Sequence, residues 1–411
     1  MGDRWLGGQS GRIPLPINDQ KNQKLEYVDN NDDDIQYSFV QLCDTQLGMM
    51  SAMRQSQWKR PFVRLMTCGT LVMPPLLEEA CEAVHDPQTY ALNDEALHLL
   101  EQNICIETVK TINNMIPSPA FVVICGDLVN AFPSNASVDP NNSTDLHNIQ
   151  KAQFKSIFSQ LRQDIPLVCL CGNHDIGERP TANTVEAWRR SFGKDYFKFK
   201  VGPDLFIVIN SQLYKDGSGA PDMASEQDMW LNETLKHAKQ NARHIIVFSH
   251  IPPFIESPEE PSGYFPLPTP IRLSLLSRIA EAGGSHWFAG HYHRNAGGFY
   301  HHKNVSKDTR HHNNNNKDQV LEVVTTAAVG GNISTDPNGD VLGLTGMKGI
   351  SLSNSLSGFR MVNVSNKGIT HYFQSMKKCE PCSSDETTDE TMMMTGEGSK
   401  ERLIHRQKSE K

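Results

Sequence analysis

The residues of this chain best suited to chemistry fall in five short polar clusters rich in Asp, Asn, Gln and His. In chain order these are Asp44-Thr45-Gln46, Gly126-Asp127-Leu128-Val129-Asn130, Gly172-Asn173-His174-Asp175, Ser249-His250 and Gly290-His291-Tyr292-His293. Carboxylate, amide oxygen and imidazole together suit hard to borderline divalent cations such as Mn, Fe, Zn or Mg better than thiolate-seeking metals. A carboxylate has two oxygens and can bridge two ions. Two ions roughly 3.5–4 Å apart can clamp the attacking and leaving oxygens of an in-line displacement at phosphorus and acidify a bound water. Taken singly, each cluster has a plain explanation: Asp44 as a turn or cap residue, His250 as a hydrogen-bonded loop histidine, Gly126 and Gly172 as turn glycines. Taken in order, each behind an apolar run, they argue for one shared dinuclear site.

The elements that must position these clusters are also legible. Residues 37–42, 121–124, 167–170, 244–248 and 287–288 are apolar runs that each lead into one cluster, and 205–209 and 321–324 are two more. Continuous runs of this kind form strands buried on both faces. Helical segments are expected at 94–115, 146–163, 181–192, 225–240 and 271–282, the third opening with Thr181, Thr184 and Glu186 in the manner of a capped start. Alternating strands and helices define an α/β architecture, in which the carboxyl ends of the strands face a common crevice.

Composition narrows the class. The 411 residues carry a net charge of −8, with 39 Lys+Arg against 47 Asp+Glu and no basic stripe, which argues against a nucleic-acid partner. No run approaches the roughly 18 apolar residues of a membrane span, and the first residues lack the apolar core of a signal peptide. Of nine cysteines, Cys43, Cys125, Cys169 and Cys171 sit in apolar runs and read as reduced thiols, the pattern of a cytoplasmic protein. Residues 1–35 and 376–411 are expected to be disordered polar tails around one domain at 36–375, with insertions at 52–92 and 301–318. The His pairs of the second insertion read as a solvated loop, and Cys379 and Cys382 as a chance pair in the tail. Phe254, Tyr264 and Phe265, in the Pro-rich stretch after His250, are open to two readings, the lining of a substrate groove or, in preference, a plain surface loop.

The order DxQ…GDxxN…GNHD…H…GHxH resembles the calcineurin-like metallophosphoesterases over roughly residues 39–372. The strings at 172–177 and 290–298 are similar to a subgroup described as cytoplasmic serine/threonine protein phosphatases. The resemblance implies a four-layer α/β/β/α sandwich with one cation on Asp44, Gln46, Asp127 and His293. A second would lie on Asp127, Asn173, His250 and His291, with Asp127 as the bridge and His174 as proton donor to the leaving oxygen. Two departures stand out. Most of the family has His where this chain has Gln46, a harder and weaker ligand. The phosphoprotein phosphatases have Asp where this chain has Asn130, which cannot stabilise an imidazolium by charge. Asp175 is a substitute partner for His174, and Arg294 is the cation placed to clamp phosphate. The expected function is a phosphomonoesterase acting on phosphoserine or phosphothreonine in proteins by attack of a metal-bound hydroxide. The alternatives are a phosphodiesterase or nucleotide hydrolase on the same site, or a non-catalytic scaffold of the same fold.

Overall fold

A computed structural model of the chain describes residues 24–25, 35–49, 52, 94–135, 137–139, 141–302, 319–335, 350–353 and 357–376. The expected tails and insertions, with Cys379 and Cys382, lie outside these residues apart from a few at their borders and one short strand at Lys24–Leu25.

In chain order the strands are β1 (Lys24–Leu25), β2 (Ile35–Leu42), β3 (Val122–Ile124), β4 (Leu167–Cys169), β5 (Phe197–Val201), β6 (Asp204–Val208), β7 (Ile245–Phe248), β8 (Gly284–Ala289), β9 (Ala296–His302), β10 (Gln319–Thr325), β11 (Asn332–Thr335), β12 (Ile350–Ser353), β13 (Gly358–Ser365) and β14 (Ile369–Ser375). The helices are α1 (Asp94–Asn113), α2 (Leu146–Phe158), α3 (Asn173–Ile176), α4 (Ala182–Phe192), α5 (Ser211–Asp216), α6 (Pro221–Asn241) and α7 (Thr269–Glu281). One sheet has the order β14-β13-β2-β3-β4 and the other β1-β5-β6-β7-β8-β10-β9, with β11 and β12 a separate pair. Each sheet has a parallel centre, β2-β3-β4 in one and β6-β7-β8-β10 in the other.

Alternate residues of these central strands face two different cores, as their continuous apolar runs require. In β2, Val40 and Leu42 pack outward against Ile104 of α1, Phe154 of α2 and Trp188 of α4. Tyr37 and Phe39 point inward and meet Phe206, Phe248 and Phe288 of the other sheet. Phe39 stacks on Phe121 at 4.7 Å and takes Phe206 edge-on at 5.6 Å. Each fully buried ring of this layer contributes about 2 kcal/mol of transfer free energy. The outer face of the second sheet (Ile207, Val247, Trp287, Val323) is covered by Leu231 and Leu235 of α6 and Leu275, Leu276 and Ile279 of α7, with Trp230 packed at its border. Three cores between four layers make the α/β/β/α sandwich.

The expected apolar runs and helices recur as β2, β3, β4, β6, β7, β8, β10, α1, α2, α4, α6 and α7. Helix α4 starts where expected, since the Thr181 hydroxyl accepts the Thr184 N–H at 3.3 Å and the Thr184 hydroxyl accepts the Thr181 N–H at 3.0 Å. Strand β5, outside the expectation, reads Phe-Lys-Phe-Lys-Val with Phe197, Phe199 and Val201 buried and the lysines turned outward.

Candidate metal centre

The five-stranded sheet delivers Asp44 and Gln46 beyond β2, Asp127 beyond β3 and Asn173 at the start of α3 beyond β4. The seven-stranded sheet delivers His250 beyond β7 and His291 and His293 beyond β8. All seven side chains are buried. Asp44, Gln46, Asp127, His291 and His293 have positive φ (50°, 35°, 50°, 69° and 54°), and among the described residues no other non-glycine residue does. The left-handed region costs an L-residue roughly 1–2 kcal/mol. Such costs persist where the surroundings enforce them, characteristically at functional sites.

The glycines of the motifs make room for these side chains. A Cβ on Gly172 would sit 2.1 Å from Asp127 Oδ1, and one on Gly290 would sit 2.6 Å from Asp44 Oδ2.

Asp127, His250 and His291 place ligand atoms within 4.8 Å of one another. His250 Nε2 lies 3.0 Å from Asn173 Oδ1, 3.1 Å from His291 Nδ1 and 3.3 Å from Asp127 Oδ2. His293 Nε2 is 3.5 Å from Asp44 Oδ1, and both Asp44 oxygens accept the His291 N–H, at 3.1 and 3.0 Å. The Gln46 N–H donates to the Asp127 carbonyl at 2.9 Å, which seats Gln46 beside the cluster. His250 Nδ1 donates to the Cys125 carbonyl at 2.8 Å and His293 Nδ1 to the Gly331 carbonyl at 2.6 Å. A carbonyl on Nδ1 fixes the tautomer and leaves Nε2 as a lone-pair donor, the usual arrangement of metal-binding histidines.

The electrostatics call for positive charge. Burial lifts the Asp44 carboxyl well above the ordinary range, with Asp127 adding to the lift. Burial also opposes ionisation of Asp127, yet the His250 and His174 rings hold its carboxyl below that range. Burial disfavours a charged His250, but the Asp127 and Asp44 carboxylates outweigh it and raise the ring to about 10. His291 and His293 are pushed down, chiefly by burial, His293 to about 4. Two buried carboxylates cannot both ionise without cationic partners. Gln46 Oε1 is buried with no hydrogen-bond partner, a costly state that a bound cation relieves. This donor set fits a divalent cation.

His174 lies beside the cluster. Its N–H donates to Asp127 Oδ1 at 2.9 Å, its Nδ1 is hydrogen-bonded to the Asn130 carbonyl, and its ring stacks on Phe132 at 4.1 Å. Asp175, the substitute partner read from the sequence, does not take that place. At the third position of α3 it reaches back to the Gly172 N–H at 2.7 Å and takes the Leu128 N–H at 3.1 Å. Burial, with Asp127 adding to it, raises Asp175 to about 8. It braces the two loops that carry Asp127 and Asn173. Arg294 stands over the Tyr292 ring, 5.2 Å from its centroid.

Two contributing residues, Glu178 and Lys215, escaped the sequence reading, and two others, Tyr264 and Phe265, were placed by preference on a plain surface loop. Glu178 Oε1 accepts Asn173 Nδ2 at 2.8 Å and the Tyr264 hydroxyl at 3.0 Å, which turns Asn173 Oδ1 toward His250. Tyr264 and Phe265, expected on a plain surface loop, pack on the His291 ring with centroids at 5.0 and 5.7 Å. Lys215 Nζ pins their loop through the carbonyls of Tyr264 and Pro266, both at 2.8 Å. Apart from the Asn173–Glu178 bond, these contacts join residues distant in the chain. A lone Glu, Tyr or Lys outside any motif carries no signal of them.

A candidate cation-binding cluster at the strand ends of two packed sheets points to a class. Residues 86–295 match a sequence model of the family described as calcineurin-like phosphoesterase, and the chain belongs to that family of metal-dependent phosphoesterases. It is similar to the serine/threonine-protein phosphatase CPPED1 of Mus musculus, with 38% identity over 255 residues, 61% of this chain and 76% of the relative. It is also similar to that of Danio rerio, at 36% over 266 residues (64% and 72%), and that of Homo sapiens, at 35% over 297 residues (71% and 83%).

Proposed function

We propose that this chain is a phosphomonoesterase that removes phosphate from phosphoserine and phosphothreonine in proteins, using a dinuclear metal site. One cation would be held by Asp44, Gln46, Asp127 and His293. The second would be held by Asp127, Asn173, His250 and His291, with Asp127 shared. The carrying observation is that Asp127, His250 and His291 place ligand atoms within 4.8 Å of one another, with Asn173 Oδ1 3.0 Å from His250 and Asp44 3.5 Å from His293 beside them, at the strand ends of both sheets. The protein substrate rests on similarity to the serine/threonine phosphatases.

When bound, the cations supply an acidified water as nucleophile and positive charge against the phosphoryl oxygens. The chain's own residues do the rest. His174, its Nδ1–H donating to the Asn130 carbonyl, presents Nε2 as the atom that gives a proton to the departing serine or threonine oxygen. Phe132 stacked on the ring, and the His174 N–H bound to Asp127, fix this acid relative to the shared carboxylate. Arg294, held over Tyr292, is the candidate clamp for a phosphate oxygen. The buried thiols Cys43, Cys105, Cys125, Cys169 and Cys171 suit a reducing cytoplasmic setting.

The test compares turnover of p-nitrophenyl phosphate, its bis-ester and a panel of phosphoserine and phosphothreonine peptides, alongside metal content by mass spectrometry. Monoester preference, peptide turnover and two cations per chain are expected. Diester preference would move the assignment to a phosphodiesterase, and a single cation would remove the dinuclear mechanism.

A further inference from the structure

Gln46 and Asn130 read from the sequence as two separate departures from the family pattern, one weakening a metal ligand and the other weakening the acid. In the structure they touch. Gln46 Nε2 donates to Asn130 Oδ1 at 3.3 Å, while Gln46 Oε1, on the other arm of the same amide, is buried and unpartnered. The Asn130 side chain is thus engaged with Gln46, and it is the Asn130 main-chain carbonyl that meets His174.

The backbone at this point is held independently of the Asn130 side chain. Gln150 Oε1, reaching from α2, accepts the N–H of Asn130 at 3.1 Å and of Ala131 at 2.7 Å. The Asn130 N–H also donates to the Leu47 carbonyl at 3.2 Å. The carbonyl serving His174 therefore stays in place when the side chain is removed.

We propose that Asn130 is a positioning residue for the metal site. Its side-chain oxygen takes the Gln46 NH₂, fixes which way that amide is turned, and leaves Oε1 free for a cation. An imidazole ligand has its tautomer set by the hydrogen bond on its other nitrogen, and an amide ligand needs the same service from an acceptor. The Gln and the Asn are one compensated change, and Asn130 acts on cation affinity through Gln46 while acting on His174 only through its backbone. This inference rests on Gln46 being a metal ligand, as proposed above.

The experiment is calorimetric titration of Mn(II) into the chelator-stripped full chain, with folding of each variant checked by circular dichroism. Asn130→Ala and Gln46→Ala should each weaken one Mn(II)-binding step by about tenfold, the usual effect of losing such a partner. The double variant should bind no more weakly than Gln46→Ala alone, because the two act through one amide. Asn130→Asp offers only acceptor oxygens, so it must face the same Nε2 and should bind as tightly as the parent. Asn130→Ser, too short to reach Gln46, should behave as Asn130→Ala and replaces it if that variant fails to fold.

Unchanged Mn(II) binding in Asn130→Ala would overturn the proposal, as would additive losses in the double variant or an Asn130→Asp as weak as Asn130→Ala. Two cations bound by the parent with no loss in Gln46→Ala would also overturn it while leaving the dinuclear reading standing. A parent that binds no Mn(II) would overturn both.

Discussion

The two sheets contribute unlike halves of one site. The five-stranded sheet brings oxygen donors, Asp44, Gln46, Asp127 and Asn173, whereas the seven-stranded sheet brings nitrogen donors, His250, His291 and His293. The supports differ in the same way. Each candidate oxygen ligand is steadied by a hydrogen bond: Asp44 by the His291 N–H, Asp127 by the His174 N–H, Asn173 by Glu178 and Gln46 by Asn130. Of the nitrogen ligands, His250 and His293 are steadied through Nδ1 by the carbonyls of Cys125 and Gly331. One hydrogen-bonding arm of each supported amide or ring is occupied, so the other is committed before any cation arrives. Neither sheet has a site alone, because Cys125 of one supports His250 of the other and the His291 N–H returns the service to Asp44.

The largest break in this arrangement should come from a single methyl group in the oxygen half. Gly172→Ala would put a Cβ 2.1 Å from Asp127 Oδ1 and 2.5 Å from the Asp127 amide nitrogen. Neither can yield without moving the carboxylate shared by all the proposed cation contacts. Losing one partner of a buried charged cluster costs about 3–5 kcal/mol, so Mn(II) affinity should fall by about a thousandfold, with turnover lost. Calorimetry on a variant shown by circular dichroism to be folded checks this. Near-parental binding would mean that Asp127 is not the hub.

A smaller and cleaner effect is expected from His174→Ala, which removes the proposed acid and leaves every candidate ligand in place. The bond to Asp127 is made by the main-chain N–H of residue 174 and survives the change. Turnover of a phosphoserine peptide should drop by about a hundredfold, the scale of a lost general acid, at unchanged cation affinity. p-Nitrophenyl phosphate, whose leaving group needs no proton, should be affected much less. Equal losses on both substrates would assign His174 to phosphate binding instead.

The halves also differ in how much the sequence reveals. All seven candidate ligands stand next to apolar runs that became the central strands β2, β3, β4, β7 and β8, because a strand buried on both faces writes itself as an uninterrupted run. Strand β5 was overlooked because Phe197, Phe199 and Val201 alternate with lysines, the period-two signature of a one-sided strand, which a search for continuous runs passes by. The supports were less legible than the ligands. The partners of His250, His293 and His174 are carbonyls of Cys125, Gly331 and Asn130, and a carbonyl has the same chemistry in every residue. The left-handed backbone at Asp44, Gln46, Asp127, His291 and His293 is likewise a property of the surroundings that no residue type announces. Asn130 illustrates the error that follows. Its side chain invites a role at His174, and the structure spends that side chain on Gln46.

The smallest expected effect tests the claim that oxygen ligands depend on acceptors behind them. Glu178 is placed as that acceptor for Asn173, and it also ties down Tyr264, whose ring lies against His291 in the other half. Burial raises the Glu178 carboxyl, with the Tyr264 hydroxyl bond opposing the shift. Glu178→Ala frees the Asn173 amide to turn its NH₂ toward His250, exchanging a ligand oxygen for a donor hydrogen. One Mn(II) step should weaken by about tenfold. Glu178→Gln keeps an oxygen that can accept both bonds and should recover most of the loss, which separates orientation of Asn173 from the charge of the carboxylate. Tyr264→Phe removes the hydroxyl while keeping the ring on His291, so affinity close to that of the parent is expected. If Tyr264→Phe were as weak as Glu178→Ala, the hydroxyl would be the true support of Asn173 and Glu178 only its anchor.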